Sequence, residues 1–149
     1  GAKLSIESYI QKVLDEGGKL ICGGLGGVPD HGYFVRPTII TTDDNKATIV
    51  QEEIFGPVLV MVPFETEEEA IELANDNSYG LASSVWTKDI SRALRMVPKI
   101  KAGTVWINAH DYVDSCMPCG GFKDSGYGKD MGPEQLDYFT KTKAVWVAI

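Results

Sequence analysis

Gln51-Glu52-Glu53-Ile54-Phe55-Gly56-Pro57 sets adjacent carboxylates, an aromatic ring and a tight turn into one short stretch, followed by the apolar run Val58-Leu59-Val60-Met61-Val62. A carboxylate accepts hydrogen bonds from vicinal hydroxyls, which is how acidic residues read a ribose, and a flat ring beside it can pack a nicotinamide. The same residues also suit a solvated acidic pair beside a core aromatic. Residue types alone leave both readings open.

A second reactive stretch is Asn108-Ala109-His110-Asp111-Tyr112-Val113-Asp114. His110 has the chemistry of a general base and equally that of a hydrogen-bonded structural histidine. Asp111 and Asp114 read as site acids or as a solvated loop. Further on, Cys116-Met117-Pro118-Cys119 is a literal C-x-x-C. A redox site of that kind needs its first cysteine at a helix N-terminus, and Gly120-Gly121 is a poor helix start. Zinc needs a second ligand pair at metal spacing, and only Cys22, His31 and His110 remain, so no metal site is expected. Gly23-Gly24-Leu25-Gly26-Gly27 lacks G-x-G-x-x-G spacing because position 29 is proline. Gly126-Tyr127-Gly128-Lys129-Asp130 lacks the hydroxyl residue that a phosphate loop carries after its lysine. Ser125 has no G-x-S-x-G context and is not read as a nucleophile.

Composition narrows the partners. The 149 residues are 44% hydrophobic, enough for one ordinary domain with one core. A net charge of −7, with no Lys/Arg cluster, argues against nucleic acid. No apolar run is long enough to span a membrane, and the N-terminal residues lack signal-peptide character. Three cysteines without such a signal point to a reducing cytoplasm.

The elements that must position these residues read as an α/β fold. Apolar residues at 6, 9, 10, 13 and 14 mark a helix ended by Gly17-Gly18. It opens almost at residue 1, a pattern shared by a chain cut from a longer one and by a small protein that begins with a helix. Leu20 to Cys22 and Tyr33 to Ile40 read as strands flanking a glycine-rich loop. Val58 to Val62 reads as a strand buried on both faces. Thr66 and Glu69 form a capping box, and Ala70, Ile71 and Ala74 give the following helix its inner face. Tyr79-Gly80 stops that helix before a strand over 81–86. The next helix turns Ile90, Ala93, Leu94 and Val97 inward, Pro98 ends it, and Gly103 to Ile107 is a third buried strand. This alternation predicts a parallel sheet of βαβ units, with ligands beyond the strands' carboxyl ends, where Asn108 to Asp114 lies. A long glycine-containing loop over 114–132 has the length of a functional one. After Pro133, Glu134 to Tyr138 makes a helical turn, and Phe139 to Ile149 alternates as a terminal strand that needs a neighbour.

Five segments, taken in order and at family-like spacing, resemble the aldehyde dehydrogenase superfamily. They are Gly32-Tyr33-Phe34-Val35-Arg36-Pro37-Thr38, Glu52-Glu53-Ile54-Phe55-Gly56-Pro57-Val58, Tyr79-Gly80-Leu81, Gly103-Thr104-Val105-Trp106-Ile107-Asn108 and Gly120-Gly121-Phe122-Lys123-Asp124-Ser125-Gly126. The resemblance runs from about Ile6 to the end and matches the C-terminal part of the catalytic domain. It implies residues 1–138 as that portion and 139–149 as an oligomerisation strand, through which homo-oligomers form. It gives Glu53 the nicotinamide ribose and puts Phe55 against the nicotinamide of NAD or NADP. It places Asn108, Asp111, Tyr112, Val113 and Cys119 at the aldehyde tunnel.

The chemistry implied by the resemblance is oxidation of an aldehyde to a carboxylic acid. A cysteine thiolate attacks the aldehyde, hydride passes to NAD(P)⁺, and water hydrolyses the thioester with a glutamate as base. In the family the nucleophile, the base and the dinucleotide domain lie upstream of the matched region. No catalytic residue is therefore assigned within this chain, and alone it is expected to be inactive. Cys119 stands where the family often has an aromatic, reshaping the tunnel. Met117-Pro118 and Gly126 to Met131 resemble the aminoaldehyde-oxidising branch, in which Asp111 and Asp114 would attract an ammonium end. A non-catalytic oligomerisation module and a C-x-x-C redox protein are the rival readings.

Overall fold

Helix α1 (Ala2–Asp15) forms where the apolar stripe lies and buries Ile6, Ile10 and Val13. The computed structural model describes residues 1–149. The helix ends in a full Schellman motif. Gly17, at φ +95°, donates its N–H to the Leu14 carbonyl at 3.2 Å, and Gly18 donates to Val13 at 2.8 Å. Glycine takes that φ without strain.

The chain then builds a three-stranded sheet in spatial order. β1 (Lys19–Cys22) pairs antiparallel with β2 (Thr38–Thr41), and β2 pairs parallel with β3 (Val58–Met61). Short helix α2 (Thr48–Gln51) lies on the β2–β3 connection. Ile6, Ile10 and Val13 meet Ile40 and Ile49 in one cluster, with half-buried Val58 and Val60 packed against it. The strand expected over Tyr33 to Ile40 is shorter, because Pro37 has no N–H to give a ladder and Tyr33 is 92% exposed. β3 also departs from expectation. Its residues alternate half-buried and exposed, with Leu59 and Met61 on the open side. A continuous apolar run does not show which of two faces receives a cover, and here the α1 side alone does.

Helix α3 (Glu67–Asn75) begins on Thr66, whose hydroxyl accepts from the Glu69 N–H at 3.1 Å. Such a cap contributes about 1 kcal/mol. The Glu69 carboxylate reaches one residue further than in a capping box, accepting from the N–H of Glu65 at 2.7 Å. Ile71 is buried and Ala70 half-buried, while Ala74 is exposed, so the inner face is narrower than predicted.

Chain contacts divide the residues into two compact units, Gly1–Asn77 and Ser78–Ile149. In the second unit, β4 (Tyr79–Gly80) pairs antiparallel with β7 (Phe122–Lys123), so the helix-stopping residues are themselves a short strand. β5 (Ala82–Val85) pairs parallel with β6 (Thr104–Ile107) across helix α4 (Ile90–Met96) and a 3-10 turn over Val97–Lys99. Asp89 caps α4 by accepting from the Arg92 N–H at 3.1 Å. Val85, Ala93 and Ile100 form the buried cluster. Ile90 and Leu94, read as inward, are exposed, because the covered face of this short helix is taken by Ala93, with half-buried Met96 packed beside it.

The α/β class with parallel strand pairs holds, but the single sheet expected for Val58–Val62, 81–86 and 103–107 does not form. β3 belongs to the first unit's sheet, hydrogen-bonded to β2, while β5 and β6 pair in the second. Periodicity reports an element's type, and pairing is settled by non-local partners. Helix α5 (Gln135–Phe139) matches the turn expected after Pro133. Residues 140–149 form no strand, and Val145, Trp146 and Val147 are exposed. A strand is defined by its ladder, and the chain offers this segment none. No helix is long and apolar enough to cross a membrane.

Candidate active site

In the first unit the acidic turn is held from both ends. The Gln51 side-chain amide donates to the carbonyls of Asn45 at 2.5 Å and Asp76 at 2.8 Å. Glu52 leaves α2 in extended conformation, and its carboxylate accepts from the Tyr9 hydroxyl at 2.7 Å. Ile54 packs on the α1 core cluster. The turn closes with Val58 N–H donating to the Gly56 carbonyl at 2.8 Å, while the Pro57 carbonyl accepts from Thr38 N–H at 2.9 Å.

Glu53 is exposed, and no hydrogen bond or ion pair within the chain engages it. Phe55 is 87% exposed and sits at φ +55°. For a bulky L-residue that left-handed backbone costs about 1–2 kcal/mol, and such strain persists where the surroundings over-determine it, commonly at ligand sites. The core-aromatic reading of Phe55 is therefore wrong for this chain: the ring is presented outward.

In the second unit, Asp111, Tyr112, Val113 and Cys119 come together with Asp114 around a concavity of about 150 Å³. Trp106 on β6 lines it too, and its indole N–H donates to the Tyr112 carbonyl at 3.0 Å. His110 stacks edge-on against that indole, with ring centroids 5.2 Å apart, so its contact is structural. Asp111, at φ +60°, is part of that lining. Asn108 lies apart from this group. Its amide is paired with the Thr87 backbone, accepting from N–H and donating to the carbonyl, each at 2.9 Å, and it lines a separate hollow with Trp86 and Ile90. That double pairing fixes the end of β6 while Asn108 itself takes φ +51°.

The C-x-x-C segment is a turn. Cys116 N–H donates to the Asp114 carboxylate at 2.9 Å, and Cys119 pairs with Asp130 through reciprocal backbone bonds of 2.7 Å. Neither thiol stands at a helix N-terminus, and no cluster of His, Cys, Asp and Glu could hold a metal ion. The Gly23–Gly27 loop is a turn as well, with Gly24 N–H donating to the Thr38 hydroxyl at 3.0 Å. Lys129 serves the backbone: its ammonium donates to the Gly120 carbonyl at 2.8 Å and lies 4.8 Å from the centre of the Phe122 ring. Sequence reasoning gave Tyr9 and Trp106 no role and weighed Lys129 only as a phosphate-loop lysine. Tyr9 lay inside a helical stripe and carried no signal of its own. The fixed spacing from Trp106 to the loop after its strand was the one available hint.

Residues 2–145 match the model of the aldehyde dehydrogenase family. The betaine aldehyde dehydrogenase of Brucella anthropi is 46% identical over 145 residues, which cover 94% of this chain and 29% of that protein. The phenylacetaldehyde dehydrogenase of Pseudomonas fluorescens is 42% identical over 141 residues, 94% of this chain and 28% of the relative. A Mycobacterium tuberculosis aldehyde dehydrogenase, solved in complex with NAD+, superposes with a TM-score of 0.90 at 45% identity, covering 99% of this chain and 30% of that one. The chain thus spans under a third of the length of these relatives. With its acidic turn, its β6 loop and nearly its whole length matched, the chain belongs to the aldehyde dehydrogenase family.

Proposed function

We propose that this chain is the C-terminal part of an NAD(P)-dependent enzyme oxidising an aldehyde to a carboxylic acid. In this reading it supplies part of the coenzyme site and part of the substrate tunnel. The observation that carries it is the division of labour in the acidic turn, where Glu52 is tied to Tyr9 while Glu53 stays unengaged beside an exposed Phe55. A free carboxylate and a bare ring suit a diol and a flat heterocycle. Glu53 would hold the ribose hydroxyls and Phe55 would shelter the ring; the coenzyme, when bound, supplies a hydride acceptor. Tyr112, Val113 and Cys119 would shape the aldehyde's path, with Asn108 holding the strand end from which the loop leaves. Residues 1–138 form this portion, and residues 139–149 become a strand when a second subunit offers a ladder. A solved relative's NAD complex supports NAD as the coenzyme.

The direct test is turnover. The full-length enzyme with NAD⁺ and an aldehyde should form NADH and the acid, whereas residues 1–149 alone should form none. Absence of turnover by the full-length enzyme across aliphatic, aromatic and amino aldehydes would remove the reading in favour of a non-catalytic oligomerisation module.

The substrate class follows from charge. Asp111 and Asp114 share the lining of the second unit's concavity, favouring an aldehyde with a cationic end. Converting both to asparagine in the full-length enzyme should raise KM for an aminoaldehyde about three- to tenfold, the effect of one or two partly exposed charge contacts, and leave hexanal unchanged. Equal shifts for both aldehydes would discard the cationic preference.

A further inference from the structure

Besides the packing of Ile54 on the α1 cluster, two contacts tie the flanks of the acidic turn to helix α1, and both come from one side of that helix. Ile6 and Tyr9 are three residues apart and so are neighbours on the α1 surface. The Ile6 side chain lies against Gly56 so closely that an added Cβ there would fall 2.6 Å from Cδ1 and 2.7 Å from Cγ1. Tyr9 reaches the other end of the turn, its hydroxyl donating to the Glu52 carboxylate at 2.7 Å. The two contacts bracket Glu53, Ile54 and Phe55.

Three physical consequences follow. The bond from Tyr9 occupies the carboxylate of Glu52, so the two adjacent acids are not equivalent: one faces the helix and the other is left for a ligand. Consecutive side chains in an extended segment point to opposite sides, so fixing Glu52 also fixes the side from which Glu53 projects. The strained backbone of Phe55, at φ +55°, needs restraint on both flanks, which the Glu52 and Gly56 contacts provide.

We infer that Tyr9 is a positioning residue of the coenzyme site, acting with Ile6 as a clamp from α1 that presents Glu53 and Phe55 in one orientation. This rests on the coenzyme reading above. Tyr9 does not touch the coenzyme; its effect passes through Glu52. Loss of the hydroxyl therefore weakens coenzyme binding without altering the tunnel.

The test uses the full-length enzyme and direct titration of NAD⁺ by fluorescence quenching or calorimetry. Tyr9→Phe and Glu52→Ala should each raise the Kd for NAD⁺ about three- to tenfold, the span expected for one hydrogen bond acting through geometry. The KM for aldehyde should hold. Glu52→Gln keeps an acceptor for the hydroxyl and should bind NAD⁺ nearly as the parent does. The double variant Tyr9→Phe/Glu52→Ala should be no weaker than the weaker single, because both remove the same bond. In the coenzyme-free enzyme, Tyr9→Phe should also speed amide exchange at Glu52 and Val58, whose N–H groups bond to the Thr48 and Gly56 carbonyls. A Tyr9→Phe enzyme that binds NAD⁺ like the parent while Glu53→Ala binds poorly would overturn the clamp alone. If Glu53→Ala also binds normally, the coenzyme reading goes with it.

Discussion

An alanine at Gly103 is expected to unfold the second unit. Its Cβ would fall 1.6 Å from the Gly120 carbonyl oxygen and 2.9 Å from the Lys129 ammonium. Those atoms belong to backbone and to a half-buried cation already bonded to that same carbonyl, so neither can swing aside. Gly103 also donates its N–H to Gly80 at 3.0 Å, which holds the entry to β6 in place. Relief requires moving one main-chain segment off the other, and the loss should exceed about 3 kcal/mol, the range of severe overpacking. Urea or thermal melts of the chain followed by near-ultraviolet circular dichroism of its tryptophans would read this, because all of them lie in the second unit. Gly26→Ala is the control. Nothing lies within 4 Å of an added Cβ there, and its φ of +73° leaves only the handedness penalty of about 1–2 kcal/mol. Similar melts for Gly103→Ala and the parent would mean that the two segments separate at little cost.

The second large effect is expected at Glu53. In the full-length enzyme, Glu53→Ala should raise the Kd and KM for NAD⁺ about tenfold to a hundredfold. That is the span of about 1.5–3 kcal/mol for hydrogen bonds to a charged group. Glu53→Asp should lie between, since it keeps the charge and shortens the reach. Thermal stability should barely change in either variant, because Glu53 is exposed and makes no contact whose loss the fold would register. An NAD⁺ affinity untouched by Glu53→Ala would remove Glu53 from the coenzyme site.

Much of this was legible in the residues. The stripe of Ile6, Ile10 and Val13 and its Gly17-Gly18 stop gave α1, and Thr66 with Glu69 gave the start of α3. The motif around Glu53 and Phe55 and the loop after β6 were both singled out, and Asp111, Tyr112, Val113 and Cys119 line one concavity, without Asn108. What escaped was non-local. Val58 to Val62 looked buried on both sides because side-chain type does not record which neighbour supplies cover. The pairing of β3 with β2 rather than β5 depends on a ladder that local pattern cannot see. Ile90 and Leu94 obeyed helical spacing yet lie exposed, since a hydrophobic position states a preference and not the presence of a partner. Tyr9 escaped for the opposite reason: its bond to Glu52 spans 43 positions.

The exposed C-terminal segment over residues 140–149 bears on how the isolated chain behaves in solution. Its bare peptide groups are a template for any extended strand, including another copy. Lys141 and Lys143 stand at its entrance, and parallel in-register stacking would bring each lysine within about 4.8 Å of its own copy. An antiparallel neighbour instead carries those charges to opposite ends. Charge repulsion between the lysines thus opposes parallel stacking more than antiparallel pairing. Electrolyte weakens the guard: at physiological ionic strength the screening length is already about 8 Å, and concentrated salt removes most of the remaining repulsion.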